Sequence, residues 1–391
     1  MGTRSARLSE LGQGLYVHLP FCTSKCRYCD FNSYAWTDQS LDAYVDALLI
    51  EAKQRATGLQ PQTVFFGGGT PSLLPPELLS RLLDELDTIC GFRQSSLETS
   101  MEANPESLDS ERAEAMVNGG VDRLSVGIQS LQIDVLQAYD RVHSPQQARE
   151  ALALGRKMFP SLNADLIFAF PGQDPNLWQQ DLQEVLSFEP NHISCYELSY
   201  EPGTALTRLR DAGRWQAEDP DLCEQLFQQT GEVCAAAGMR RYEISNFCQD
   251  GQECLHNLAA WRSLDFVGIG AGAASSVAGE RRTNLARPEH YQEAVMCGQD
   301  PVQESSRPDS KTLLFEHMMM GLRLVEEGVS RKRMQRQLNL DPWLELQPQL
   351  TELVERQLIQ AGPDADRICV TAKGALLLDH ILVQFLPGTQ V

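Results

Sequence analysis

No apolar run in this 391-residue chain comes near the roughly 20 residues that a membrane-spanning helix needs, so no transmembrane segment is expected. The stretch from Met1 to Leu11 is short and polar and lacks the apolar centre of a secretory leader; the expected compartment is the cytoplasm. Positive charge is also in short supply. The chain carries 33 Lys and Arg against 53 Asp and Glu, a formal net charge of −20, and such a balance argues against a nucleic-acid surface. Residues 311–391 hold nine basic and ten acidic groups, so the acidic excess belongs to the first 310. Cysteine is sparse and odd in number, eleven in all, which fits reduced thiols better than a disulfide framework.

What the chain does have is a repeated alternation of β-rich and helical segments. Strands are expected over Thr63–Phe66, Leu97–Ala103, Arg123–Ile128, Asn163–Phe170, His192–Leu198 and Arg240–Ile244. Helices fill the intervals, among them Leu41–Ala56, Pro75–Asp87, Ser110–Asn118 and Leu177–Phe188. In the first of these, Leu41, Val45, Leu48, Leu49 and Ala52 share one face behind an N-cap at Ser40. Strands separated by helices make parallel βα units, and six or seven of them predict an α/β protein built on a partial or full (β/α) TIM-like barrel. Reactive groups of a barrel gather where its strands end. The ends here are polar: Gly67-Gly-Gly-Thr70, Glu102 with Asn104, Gln129-Ser130, Asp165, Glu197 and Ser245-Asn246. Each alone reads as a loop cap, but together they predict a ring-shaped pocket.

The Gly/Ala-rich stretch from Gly268 to Gly279 does not have the spacing of a dinucleotide fingerprint; it predicts close backbone packing or contact with a ligand. A polar linker is expected over Met296–Asp309. Beyond it, helices over Lys311–Leu324, Val329–Leu338 and Trp343–Leu358 and a strand near Ile368–Thr371 suggest a small, mainly helical, winged-helix-like C-terminal domain. Its near-neutral charge gives no support for DNA binding.

The whole chain is organised around Cys22-Thr-Ser-Lys-Cys26-Arg-Tyr-Cys29, which follows the apolar run Leu15-Tyr-Val-His-Leu-Pro-Phe21. Three thiols this close can converge on one metal centre. Thiolate triplets select zinc or an iron–sulfur cluster, and three protein ligands leave a coordination position open for another molecule. A zinc site completed by a distant Cys or His, or three unrelated buried cysteines, would show the same spacing.

Cys22-x3-Cys26-x2-Cys29, with Tyr28 between the last two cysteines, resembles the signature of the radical S-adenosylmethionine superfamily. Tyr16-Val-His-Leu-Pro-Phe-Cys22, Gly67-Gly-Gly-Thr-Pro-Ser72, Glu102-Ala-Asn-Pro105, Ser125-Val-Gly-Ile-Gln-Ser130 and Asp165-Leu-Ile are similar, in order, to the subgroup of oxygen-independent coproporphyrinogen III oxidases and heme chaperones. The resemblance covers nearly the whole chain. It implies that Cys22, Cys26 and Cys29 hold a [4Fe–4S] cluster whose fourth iron is chelated by S-adenosylmethionine, with the barrel as the radical SAM core. It further implies that Gly67, Gly68, Gly69 and Thr70 line the methionine part of that nucleotide and that Glu102 reaches a polar group on it. By the same match, Tyr16, Tyr28, Gln129, Arg141 and Asp165 belong to the S-adenosylmethionine site, some of them through a second molecule in the oxidases.

Two features divide the subgroup. The oxidases carry a fourth cysteine two positions after the third, where this chain has Phe31. His256-Asn257-Leu-Ala-Ala-Trp261 resembles the His-Asn-x-x-Tyr-Trp element of the chaperones and implies heme binding by His256, with Ala260 in the place of the tyrosine. Imidazole is a good heme-iron ligand. Cys254 is a candidate second ligand beside its plainer reading as a buried thiol. The resemblance therefore implies a chaperone that binds heme and passes it to acceptor proteins, with peripheral membrane contact where those acceptors are respiratory enzymes. The alternative is a coproporphyrinogen III oxidase, which Phe31 disfavours; a radical enzyme acting on tRNA is disfavoured by the acidic balance. The expected division is a barrel over residues 1–250, a heme-motif and Gly/Ala-rich connecting segment over 251–300, and a small C-terminal domain over 301–391.

Overall fold

The computed structural model describes residues 11–37 and 40–386. The polar reading of the N-terminus falls on residues 1–10, outside the described residues. Strands β1 (Gly14–Leu19), β2 (Thr63–Gly68), β3 (Glu98–Ala103), β4 (Arg123–Gln129), β5 (Ser161–Phe168) and β6 (His192–Glu197) pair in parallel in chain order. Alternation decides which way each residue faces, because successive side chains of a strand point to opposite sides of the sheet. Leu15 and Val17, Val64 and Phe66, Leu124, Val126 and Ile128, and Leu162, Ala164 and Leu166 are fully buried in one continuous core. The residues between them face the inside of the curve. Helices α1 (Leu41–Arg55), α2 (Pro76–Cys90), α3 (Ser110–Asn118), α4 (Pro145–Met158) and α5 (Pro175–Leu186) occupy the crossovers and bury their apolar faces in the same core. The Ser40 hydroxyl caps α1 by accepting from the Ala43 amide.

The strand expected over Arg240–Ile244 is shorter and runs differently. After α6 (Pro220–Ala236) come β7 (Arg240–Arg241) and β8 (Asn246–Cys248), a hairpin in which β8 pairs antiparallel with both β7 and β6. The Tyr242 amide donates to the Asn246 carbonyl and the Ser245 amide to the Glu243 carboxylate, which turns the chain back instead of extending it. The seventh parallel strand is β9 (Phe266–Ile269), on the open side of β1 and reached through the short helix α7 (Leu255–Trp261). Antiparallel strands β10 (Ala274–Val277), β11 (Glu280–Asn284) and β12 (Val302–Ser306) extend it, so the polar stretch expected as a linker contains a strand. Helix α8 (Pro288–Met296) lies between β11 and β12 and packs on α1. The sheet order is β12-β11-β10-β9-β1-β2-β3-β4-β5-β6-β8-β7, an open, partial barrel among the described residues.

Close packing is the reading that the Gly-rich stretch adopts. A Cβ on Gly268 would fall 1.9 Å from the Ala274 carbonyl oxygen, and one on Gly270 would fall 2.5 Å from that of His18. Beyond residue 309 the chain forms α9 (Ser310–Gly321), β13 (Val329–Ser330), α10 (Arg331–Leu338), α11 (Gln347–Glu355), β14 (Ile359–Gln360) and β15 (Arg367–Val370). β15 lies between β13 and β14, antiparallel to both, over a separate core that includes Met318, Leu322, Leu350, Leu353, Ile368 and Ile381. This three-stranded sheet with its helices is the winged-helix-like unit. Among the described residues no helix is long and apolar enough to cross a membrane.

Candidate functional site

The inward-facing residues of the barrel strands enclose a cavity of about 590 Å³. Cys22, Cys26, Cys29, Tyr16, Tyr28, Gly68, Gly69, Glu102, Gln129, Arg141, Asp165 and His256 all line it. Gly67 and Thr70 stand behind that wall. A Cβ on Gly67 would lie 3.0 Å from a Glu102 oxygen, so the glycine leaves space for that carboxylate.

The cysteines occupy the rim, on the loop that leaves β1. A local turn, from the Cys29 amide to the Cys26 carbonyl, shapes the loop, and the Arg27 amide donating to the Tyr139 carbonyl ties it to the barrel. Each sulfur has a polar neighbour. The Thr70 hydroxyl is 3.4 Å from Cys22 Sγ, Arg141 Nη1 is 3.6 Å from Cys26 Sγ, and Ser33 Oγ is 3.5 Å from Cys29 Sγ. Asn104 links the first two, donating to Thr70 Oγ1 at 2.8 Å and accepting from Arg141 Nη2 at 2.8 Å. Burial pushes the Cys22 thiol up to about 11 and raises Cys29 as well. Loading a thiolate-ligated group here would therefore release protons. No three His, Cys, Asp or Glu side chains among the described residues stand at metal-binding spacing. What the loop offers is three free thiols on one cavity wall, soft donors of the kind an iron–sulfur cluster requires. Arg141 Nε, buried with no hydrogen-bond partner, adds a cation beside them. The donor chemistry fits the cluster.

One wall is built on the tautomer of His18. Its Nε2 lies 2.8 Å from the Asn32 carbonyl, which can only accept, so Nε2 carries the proton and Nδ1 accepts from the Tyr16 hydroxyl at 2.8 Å. Gly68 packs on this ring with φ +116°, where a Cβ would fall 2.5 Å from a ring carbon, and its amide donates to Glu102 at 3.2 Å. Burial, with Asp165 close by, pushes the Glu102 carboxyl up to about 7. Asp165 accepts from the Ser125 hydroxyl at 2.8 Å and from Asn163 Nδ2 at 2.7 Å. Asn163 in turn accepts from His192 Nδ1 at 2.6 Å, leaving His192 Nε2 to accept from the Tyr242 hydroxyl at 2.9 Å. Gln129 ends β4 in the left-handed region, φ +68°. His143 is buried, with its Nε2 3.1 Å from the Ile128 carbonyl and its Nδ1 3.6 Å from a Glu106 oxygen without a hydrogen bond.

Helix α7 closes the opposite end, the floor, against the first residues of β1 and β2. The Glu98 carboxylate accepts from the Leu255 amide at 2.9 Å and the His256 amide at 3.2 Å, holding the start of the helix. His256 Nδ1 lies 2.9 Å from Thr63 Oγ1, and the ring stacks on Phe65 at 5.2 Å. Its Nε2 makes no hydrogen bond among the described residues. Burial, then the field of Arg123, pushes the imidazole down to about 4, so it is neutral at physiological pH. Cys254 is fully buried with its thiol 3.4 Å from Glu98 and does not line the cavity; it is the inert thiol of the two readings. Ala260 is half-buried, and Trp261 lies under Arg323 at 5.7 Å. Phe31 is 62 % exposed at the cavity mouth.

Sequence reasoning missed Glu98, Asn163 and Arg123. The alternation of β4 carries the signal for the last, since Arg123 shares its face with Ser125, Gly127 and Gln129.

The family model of the Radical SAM superfamily matches residues 16–185, and that of the HemN C-terminal domain matches residues 309–377. The chain is 31 % identical over 375 residues to the heme chaperone HemW of Bacillus subtilis, covering 95 % of this chain and 98 % of that protein. It is 32 % identical over 383 residues to the heme chaperone HemW of Escherichia coli, covering 95 % and 97 %. A mitochondrial protein of Bos taurus, radical S-adenosyl methionine domain-containing protein 1, is 33 % identical over 391 residues, covering 97 % and 85 %. Among solved structures, the coproporphyrinogen III oxidase HemN of Escherichia coli superposes with a TM-score of 0.80 at 22 % identity over 100 % of this chain and 94 % of that one, a likeness of fold. The chain belongs to the radical S-adenosylmethionine superfamily, within the group that unites HemN with the HemW proteins.

Proposed function

We propose that this protein binds heme in the barrel lumen and passes it to acceptor proteins, as the name "heme chaperone" says of its relatives in Bacillus subtilis and Escherichia coli. The observation that carries the reading is His256: an imidazole held by Thr63 and Phe65, neutral, with Nε2 free toward the cavity. A neutral imidazole nitrogen is what ferric or ferrous heme takes as an axial ligand. Phe31 supports it, standing where the oxidases place a fourth cysteine.

At the rim, Cys22, Cys26 and Cys29 would hold the [4Fe–4S] cluster that family membership implies, and Tyr16, Tyr28, Gly68, Gly69, Glu102, Gln129, Arg141 and Asp165 would surround S-adenosylmethionine, with Gly67 and Thr70 supporting that wall from behind. When bound, these two groups supply reductive cleavage of the sulfonium. The residues around them position and shield. Arg141 keeps its charge beside Cys26 by donating to Asn104 and Gly127, and Glu102, near 7, is poised to accept a donor from the nucleotide as a carboxylate. We divide the chain as a barrel over residues 1–250, a heme-motif segment over 251–300 and a C-terminal unit over 301–391. We place it in the cytoplasm, with respiratory enzymes as candidate acceptors.

The test is a heme titration of the cluster-reconstituted protein beside its His256→Ala variant. The variant should lose the Soret band of the histidine-ligated heme and bind heme at least about tenfold more weakly, as expected for loss of an iron ligand. An unchanged spectrum and affinity removes His256 from the site. Turnover of coproporphyrinogen to protoporphyrinogen on adding S-adenosylmethionine anaerobically would replace the chaperone reading by the oxidase one.

A further inference from the structure

The floor of the lumen holds a cation with nothing to pair with. Arg123, the first residue of β4, is 3 % exposed and lines the cavity. Its Nε is buried without a hydrogen-bond partner, and the group forms no ion pair among the described residues. Folded proteins rarely bury arginine unpaired, because the charge gives up its hydration and receives nothing for it. The carboxylates whose fields reach it are already engaged. Glu98 accepts from the Leu255 and His256 amides and from the Ser100 hydroxyl, and Asp165 accepts from Ser125 and Asn163. Neither comes within ion-pair distance.

The missing partner is an anion that enters the cavity. A guanidinium presents a planar fork of donors that matches a carboxylate. Elsewhere the lumen is lined by Glu102, Asp165 and Glu197, which repel such a group; of its other cations, Lys25 at the mouth donates to the Phe31 and Ser33 carbonyls, and Arg141 at the rim is committed to Cys26, Asn104 and Gly127. From Arg123 to Gln129 the seven residues of β4 span roughly 20 Å, so the free cation lies a full strand length from the cysteine rim and close enough to His256 for its field to depress that imidazole.

We infer that Arg123 is a carboxylate-binding residue of the heme site, pairing with a propionate of the porphyrin whose iron faces His256. The inference rests on the heme reading of that histidine. It makes the floor two-pointed: an imidazole for the metal and a guanidinium for the acid arm, which together fix the orientation of the ring.

The experiment titrates the cluster-reconstituted full chain with heme and with heme dimethyl ester, whose propionates carry no charge, in wild type, Arg123→Met and Arg123→Lys. Wild type should bind heme about tenfold to a hundredfold more tightly than the ester, the range of a hydrogen-bonded charge pair. Arg123→Met should bring heme down to the affinity of the ester and leave the ester within about twofold, while Arg123→Lys should keep part of the preference. Equal affinity of wild type for the two ligands overturns the inference while leaving the heme reading intact, and this arm needs no variant to fold. An Arg123→Met protein that keeps the preference overturns it as well. Loss of S-adenosylmethionine affinity in Arg123→Met with the heme preference unchanged would assign the cation to the other cofactor's carboxylate. Failure of wild type to bind either porphyrin overturns the heme reading and this inference together.

Discussion

Replacing Glu98 by alanine should release the start of α7 without disturbing the barrel wall. The carboxylate takes four donors: the Leu255 amide at 2.9 Å, the Ser100 hydroxyl at 3.1 Å, the His256 amide at 3.2 Å and the Cys254 thiol at 3.4 Å. No side chain at Cys254 caps the helix in its stead. A hydrogen bond to a charged acceptor contributes about 1.5–3 kcal/mol net, and loss of a helix cap costs about 1 kcal/mol. Two orphaned amides on a helix of seven residues then cost about 3–4 kcal/mol, since the thiol and hydroxyl can turn elsewhere. Hydrogen exchange of the peptide containing Leu255–Trp261, followed by mass spectrometry in the full-length protein, should accelerate by about two to three orders of magnitude, at about 1.4 kcal/mol for each factor of ten. Glu98→Gln keeps one accepting oxygen and should show roughly half the effect in free energy. The peptide of α4, on the far side of the sheet, serves as the internal control. Exchange of α7 within about threefold of wild type would show that Glu98 does not hold the helix, and the account of how His256 is aimed would fall with it.

Four further outcomes follow from the same geometry. Because burial and Arg123 hold His256 near 4, its proton is lost in the folded protein far below the usual 6.5, and heme affinity should stay flat from pH 7.5 to 5; a tenfold decline between 7 and 5.5 would mean an ordinary, solvated histidine. For Glu102 the folded protein holds its proton up to about 7 against 4.5 when unfolded, so stability falls as pH rises between those values by at most about 3 kcal/mol, and Glu102→Gln should remove that fall. Thermal midpoints of the two proteins that run parallel from pH 5 to 8 would refute it. Cys22→Ala, Cys26→Ala and Cys29→Ala should each lose iron on anaerobic reconstitution, and a full four-iron complement in any of them contradicts the cluster assignment. Glu327→Ala, which strips Arg262 and Arg333 of their shared partner, should speed exchange of α7 while leaving the iron content of the reconstituted protein unchanged; slow exchange in that variant would deny the C-terminal unit any hold on the floor.

The parallel strands β2, β4 and β5 were legible because each combines buried apolar residues at every second position with a turn and a helical stretch behind it, whereas β3 and β6, ETSMEA and HISCYE, were legible from their place between helical stretches. β10, β11 and β12 have no such pattern. Glu280-Arg-Arg-Thr-Asn284 and Val302-Gln-Glu-Ser-Ser306 are polar on both faces, and only pairing with one another makes them strands. β9 is four residues long, and its partner β1 lies some 250 positions earlier, a pairing that no local window records. At Arg240–Ile244 the β-rich composition was real, but the side chain of Glu243 and the return of Asn246 settle the stretch as a hairpin. The rim residues could be read from motifs. On the floor His256 could be read in the same way, but Arg123 could not, since an arginine opening a strand looks like a solvated edge until the helix that covers it is known.

That helix explains why the two units of the chain belong together. Leu255 and Leu258 of α7 share an apolar cluster with Tyr242 of the hairpin and Leu324, which follows α9. Arg262, the residue after α7, pairs at 2.5 Å with Glu327, which also holds Arg333 of α10 at 2.7 Å. Exposed ion pairs contribute little, but these side chains are only 9 %, 20 % and 21 % exposed and share one carboxylate, so they act as a network. The C-terminal unit therefore grips α7 from outside while Glu98 grips it from within the barrel. His256 is aimed by both. A ligand binding at His256 would strain or relax contacts that reach from the lumen to α10, and any change that loosens the C-terminal unit would be felt at the imidazole before it is felt at the cysteines, which are anchored instead through Arg27, Thr70 and Arg141 at the other end of the strands.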